Sequence, residues 1–125
     1  MLFFQAAILY GVLTGLNKGA FRNCSSLTSI EIPSGVTSIG NGTFSGCNSL
    51  TSIEIPSGVV SIGWLAFQDC INLTSIVIPL SVTEIDSTAF GGCDKLTIYC
   101  MQTSKLDGWD DGWNSVSEVV WGFGG

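Results

Sequence analysis

Five cysteines, ten acidic residues and no histidine make up the reactive inventory of this 125-residue chain. Cys24, Cys47, Cys70 and Cys93 stand 23 residues apart. Such a series suggests disulfides, a metal site, or a repeated packing position. In a stacked repeat, neighbouring Cα atoms would lie about 4.8 Å apart, inside the disulfide window. In-register side chains point the same way, however, and this opposes bridging. No C-x-x-C pair supplies zinc spacing, and an odd cysteine count opposes a full disulfide framework. Packing is the favoured reading, since a free cysteine behaves as a small buried hydrophobe. The cysteines therefore set no redox compartment.

The acids are equally poor in chemistry. Glu31 and Glu54 recur at the same spacing and would stack about 4.8 Å apart, near the separation of retaining glycosidase carboxylates. Neighbouring strands on an open surface give them no pocket and no desolvation, so a like-charged surface pair is the expectation. Val77 takes the place of the acid in the next repeat. Asp107, Asp111, Gly112 and Glu118 fall on EF-hand positions, but Trp109 occupies a ligand position and no helical flanks are evident. Without histidine, no Ser-His-Asp or Cys-His arrangement exists, and no phosphate-binding glycine loop occurs. The expectation is a protein without catalysis and without a cofactor. Sequons at Asn23, Asn41 and Asn72 matter only on a eukaryotic secretory route.

These residues are positioned by an internal repeat, which decides the fold. Residues 19–41, 42–64 and 65–87 share one 23-residue pattern, and a partial unit follows at 88–103. Phe21, Phe44, Phe67 and Phe90 recur with the cysteines, as do Leu27, Leu50, Leu73 and Leu96. Within a unit, Ile30-x-Ile32 has strand period, Pro33 and Ser34-Gly35 turn the chain, and Val36-x-x-Ile39 returns on the other side. Ala20, Phe21 and Cys24 suit a short helical turn. One coil cannot bury its own apolar face, so coils must stack. The expected architecture is a mostly β, α/β-type repeat solenoid: right-handed, with a parallel strand ladder on one face and short helical turns elsewhere.

Stacking also explains an unusual composition. The chain is 46% hydrophobic and only 11% charged, with a mean hydropathy of +0.47. Eight positions per unit face the core, and Ser, Thr, Asn and Gly fill the surface in place of charges. A net charge of −6 argues against nucleic acid and anionic membrane surfaces. One membrane question stays open at Leu2–Leu16, which is apolar apart from Gln5 and Thr14. It is short for a spanning helix and lacks a signal peptide's basic start. Moving the repeat register back by 23 places Ala7, Leu9, Leu13 and Leu16 on inward positions. Residues 1–18 are thus a degenerate repeat or cap, with a signal-like segment as the alternative. Without a cap, the first full strand would leave an open edge suited to self-association. Residues 104–125 read as a C-terminal cap in which Trp109, Trp113 and Trp121 cover the end of the core. A carbohydrate-stacking platform is the alternative role for those rings.

The units resemble the BspA-like leucine-rich repeats, A-F-x-x-C-x-x-L-x-x-I-x-I-P-x-x-V-x-x-I-G, over residues 19–100. The tail, with Leu96–Cys100, Gly108-Trp109, Trp113-Asn114 and Val119–Gly122, is similar to those that close the last repeat of bacterial members. The resemblance implies a leucine-rich-repeat fold, with the parallel strand ladder on the concave face, and a binding role in surface-exposed or secreted adhesion proteins that contact host matrix, other cells or host proteins. On this chain the concave face would show Ser29, Glu31, Ser52, Glu54, Ser75, Val77 and Tyr99. The expected function is protein binding through that face. A structural terminal piece of a longer repeat protein is the alternative.

Overall fold

A computed structural model describes residues 6–8, 15–16, 18–115 and 117–124. Its strands are β1 (Ala6–Ile8), β2 (Gly15–Leu16), β3 (Ser29–Glu31), β4 (Ser38–Ile39), β5 (Ser52–Ile53), β6 (Ser61–Ile62), β7 (Ser75–Ile78), β8 (Glu84–Ile85), β9 (Thr97–Cys100) and β10 (Glu118–Val120). The chain is a parallel-strand β-solenoid of about four turns, and it carries two ladders rather than one. The I-x-I segments form β5–β7–β9–β10, with β1–β3 as a separate pair. The V-x-x-I segments form a second ladder, β2–β4–β6–β8. Register follows the repeat: Ser52 pairs with Ser75, Ile53 with Ile76, and Ile39 with Ile62. The last step is 22 residues, so Ile98 pairs with Ile76 and Cys100 takes the slot of Ile78. Inward placement of Cys100, which is fully buried, absorbs the missing residue without breaking the ladder.

The segment between the ladders is laddered too. Phe21, Phe44 and Phe67 each donate their backbone N–H to the carbonyl of Thr43, Ala66 and Ala89 in the next coil, at 2.8 Å in every case. The short helical turns expected here are consecutive tight turns. Each Phe carbonyl accepts from the N–H of the cysteine three residues on (Cys24 and Cys47 at 3.1 Å, Cys70 at 3.2 Å), and no helix forms among the described residues. A left-handed residue interrupts every turn at the same register: Asn23, Gly46, Asp69 and Gly92, with φ of 58°, 76°, 60° and 77°. Gly, Asn and Asp are the residues that tolerate this conformation, and it stops an α-helix from propagating.

The core is a set of one-residue columns. Leu27, Leu50 and Leu73 are fully buried, as are Val36, Val59 and Val82. The phenylalanines stack with centroids 5.6, 5.4 and 5.5 Å apart and planes within 14°. At the C-terminal end Trp113 meets Phe90 edge-on at 6.4 Å. Trp109, itself fully buried, packs against Trp113 at 4.8 Å and donates its indole N–H to the Val82 carbonyl at 3.2 Å. The chain at Trp109 also bridges to Ile85, prolonging the second ladder by one rung. No helix among the described residues is long and apolar enough to cross a membrane. At the other end, β1 pairs with β3 and β2 with β4 at a spacing of 23 residues. Most of the Leu2–Leu16 run lies outside the described residues, but β1 pairs along Ser29–Glu31, so the edge of the first full strand, on which the sequence places self-association, is covered.

Candidate binding face

The cysteine column holds more than apolar packing. The thiols of Cys47, Cys70 and Cys93 donate to the carbonyls of Phe21, Phe44 and Phe67 in the preceding coil, at 3.0, 3.2 and 3.0 Å. Each thiol therefore ties one turn to its neighbour. No cysteine forms a disulfide. Burial pushes the Cys47 thiol up to about 11 and Cys100 up to about 12, and half-buried Cys24 is raised for the same reason. A hydrogen bond with the Cys93 thiol, together with burial, holds Cys70 protonated well above the ordinary thiol range. The thiolate is the nucleophile and the metal ligand, so these raised thiols are neither at neutral pH.

The acidic tail is spread over the surface. Asp110 accepts from the Ser87 N–H at 3.3 Å, and Asp111 lies 3.8 Å from Lys105. No group of three or more Cys, Asp or Glu among the described residues is placed to hold a metal. The three tail tryptophans do not form a flat platform: Trp109 and Trp113 are buried and, of the three, only Trp121, 39% exposed, reaches solvent. Two sequon asparagines are engaged by neighbouring coils. Asn41 accepts from the Trp64 N–H at 2.9 Å. Asn72 donates to the Asn48 carbonyl and accepts from Lys95.

The outer face of the first ladder is different. Its strands alternate, with isoleucines inward and Ser29, Glu31, Ser52 and Glu54 outward and exposed. Ser75, Val77 and Tyr99 occupy the same outward column but are half-buried. Tyr99 packs on Phe123 at 5.0 Å, where the Phe123 N–H donates to the Cys100 carbonyl. The tail thus covers the one aromatic that the sequence offers to a partner.

A groove of about 1060 Å³ crosses this face, lined by residues 29–34, 52–57 and then Val77, Pro79 and Met101. The sequence reading of a pocketless surface is corrected here: Pro33, Pro56 and Pro79 at the strand ends raise one wall, and the strands form the floor. Prolines at a spacing of 23 after each strand are a signal that could have located it. Ser75 and Tyr99 do not line the groove.

The floor is uneven in a way that follows charge. β7 and β9 pair over four residues, β5 and β7 over two, and β3 and β5 form no ladder pair. The corresponding outward neighbours are Val77 beside Tyr99, Glu54 beside Val77, and Glu31 beside Glu54. Like charges directly opposite destabilise a strand pair; where both outward residues are acids, the Thr51 N–H still donates to the Thr28 carbonyl at 3.3 Å, but no ladder pair follows it. The inward isoleucines there are less sealed. Ile30, Ile32, Ile53 and Ile55 are 6–8% exposed, against 0–1% for Ile76, Ile78 and Ile98. The groove therefore has an acidic, opened end at the first two turns and an apolar, fully laddered end at Val77, Pro79 and Met101.

Known proteins match this architecture. The model of the BspA type leucine rich repeat region, six copies, matches residues 13–107. A leucine rich cell surface protein from Faecalibacterium prausnitzii A2-165 is 30% identical with a TM-score of 0.69, over 92% of this chain and 35% of that one. A leucine-rich repeat protein from Bacteroides ovatus ATCC 8483 is 31% identical with a TM-score of 0.64, over 79% of this chain and 32% of that one. A leucine rich repeat protein from T. pallidum is 26% identical with a TM-score of 0.69, over 93% and 69%. The chain thus spans about a third of the length of the first two. No curated protein matches it. By its 23-residue units, its paired ladders and the match over residues 13–107, the chain belongs to the BspA-type leucine-rich repeat family.

Proposed function

We propose that this chain is a non-catalytic protein-binding module that acts at or beyond the cell surface through the outer face of its first ladder. The observation that carries the reading is the groove over Ser29, Glu31, Ser52, Glu54 and Val77, which is walled by prolines of the same repeat. Support for a surface location comes from the F. prausnitzii protein, described as a cell surface protein. The raised thiols of Cys47, Cys70 and Cys100 and the absence of histidine support a role without catalysis. The partner is a protein, of the host matrix or of another cell's surface, and the organism is a bacterium.

The test is binding of the purified chain to immobilised extracellular-matrix proteins, with Glu31, Glu54 and Val77 replaced singly and together. Val77 serves better than Tyr99, which packs under Phe123. Loss of binding in the triple variant, with an unchanged circular dichroism spectrum, is the expected result. Binding unaffected by all three replacements removes this face from the account. A second reading, a structural piece of a longer repeat array, is favoured by Val120, Trp121 and Phe123, which are 41, 39 and 42% exposed beside β10. Light scattering separates the two: association weakened by Trp121→Ser supports the array, and a non-interacting monomer removes it.

A further inference from the structure

Building on the binding role assigned to this face, we infer that its groove takes an extended peptide segment of four or five residues, basic at one end and apolar at the other. The geometry sets the length. The groove crosses the turns carrying Pro33, Pro56, Pro79 and Met101. Parallel strands repeat at about 4.8 Å, so these turns span about 14 Å. An extended chain covers that distance in four to five residues at about 3.3 Å each.

The chemistry sets the polarity. Among the described residues, Glu31 and Glu54 are the only charged side chains lining the groove, and neither is paired with a cation. They sit on adjacent turns where the ladder between β3 and β5 is not formed. A lysine or arginine between them replaces repulsion with attraction on both sides. One turn beyond Glu54, and two beyond Glu31, the lining becomes Val77, Pro79 and Met101, which can cover an apolar side chain but satisfy no charge. The step from Glu31 to Val77 is about 9.6 Å, or three extended residues. Side chains of an extended chain share a face at every second residue, so the matching segment carries Lys or Arg two or four positions from an aliphatic residue. A net charge of −6 over the chain adds long-range attraction for such a partner.

The probes are synthetic heptapeptides with an Arg-Arg pair, one Arg of it four positions from a Leu, and Ser elsewhere, and the same peptides with Gln-Gln or Glu-Glu in place of Arg-Arg. Titration calorimetry against the full chain is expected to show binding of the Arg peptide only. Glu31→Gln/Glu54→Gln should weaken it by about tenfold, the sum of two exposed ion pairs. Raising salt from about 0.05 to about 0.5 M should weaken it comparably. Val77→Arg should abolish it. If the Gln peptide binds as well as the Arg peptide and Val77→Arg still abolishes both, the basic preference is wrong while the binding face stands. If Val77→Arg leaves peptide binding unchanged, or no peptide binds, the groove is not a peptide site. Saturation of the two glutamates by calcium alone, or dimerisation lost in Glu31→Gln/Glu54→Gln, overturns the inference in favour of a metal ion or a second copy.

Discussion

Phe67→Ala is the sharpest probe of the stacked core. Phe67 is fully buried and lies between Phe44 and Phe90 at 5.4 and 5.5 Å. Truncating a buried phenylalanine costs about 3–5 kcal/mol through lost transfer energy and the residual cavity. Two ring contacts, each contributing about 0.5–1.5 kcal/mol beyond area, place this position near the upper end. A typical domain is stable by about 5–15 kcal/mol, so the variant loses a third or more of the total. Phe21 is half-buried and stacks on one ring, Phe44, at 5.6 Å. Its truncation should cost about 1–2 kcal/mol by the same reckoning. In an array where each repeat touches only its neighbours, loss at the end is local and loss in the middle is shared by two interfaces. Urea unfolding followed by circular dichroism, with both variants and the parent chain, reads the difference. Equal losses at Phe21 and Phe67 would refute the column, because position in the stack would then not matter.

Other expectations follow from the same geometry. Leu50→Asp buries an unpaired charge in a fully enclosed slot and should cost several kcal/mol, whereas Ser52→Asp on the exposed face should cost about 0.5 kcal/mol or less; equal effects in urea melts would contradict the register. Glu54→Val makes this turn like the one at Val77, and should stabilise by about 0.2–1 kcal/mol and raise amide exchange protection at Ile53 and Glu54; a destabilised variant would show that charge does not open the ladder. Gly108→Ala drives a Cβ into the Thr83 carbonyl and should cost about 1–3 kcal/mol. Gly42→Ala meets open space at φ +66° and should cost only the backbone term of about 1 kcal/mol, so a larger loss at Gly42 would reverse the argument. Stability should fall with alkali. The buried thiols of Cys47 and Cys100 keep their protons to about 11 and about 12, while an unfolded thiol releases its proton from pH about 8.5. Above that pH the unfolded state binds fewer protons, so ΔG of unfolding declines by about 1.4 kcal/mol per pH unit per thiol until the folded values are passed. A Cys47→Ala chain should show a shallower decline in urea melts between pH 9 and pH 11, and an identical slope would contradict the assignment.

The strand columns were legible because Ile-x-Ile at a spacing of 23 leaves one alignment that buries every isoleucine. The second ladder was not, since Ser38–Ile39 and its equivalents are two residues long and two residues carry no alternation. The turns were misread as helical from the spacing of Ala20, Phe21 and Cys24. The opposing signal was present at Asn23, Gly46, Asp69 and Gly92, residue types suited to a left-handed conformation. The thiol-to-carbonyl bonds depend on side-chain direction across coils, which spacing alone does not give. Of the face read from sequence, Glu31, Glu54 and Val77 line the groove, while Tyr99 is covered by a tail whose path back along β9 no motif announces.

The central claim is that binding occurs on the outer face of the first ladder, and amide chemical-shift mapping tests it most directly. Titrating the isotopically labelled chain with the Arg-Arg heptapeptide should shift the amides of Ser29–Glu31, Ser52–Glu54 and Val77. The second-ladder amides of Ser38, Ser61 and Glu84 should stay in place. Shifts concentrated on the second ladder, or none on the first, would contradict the account.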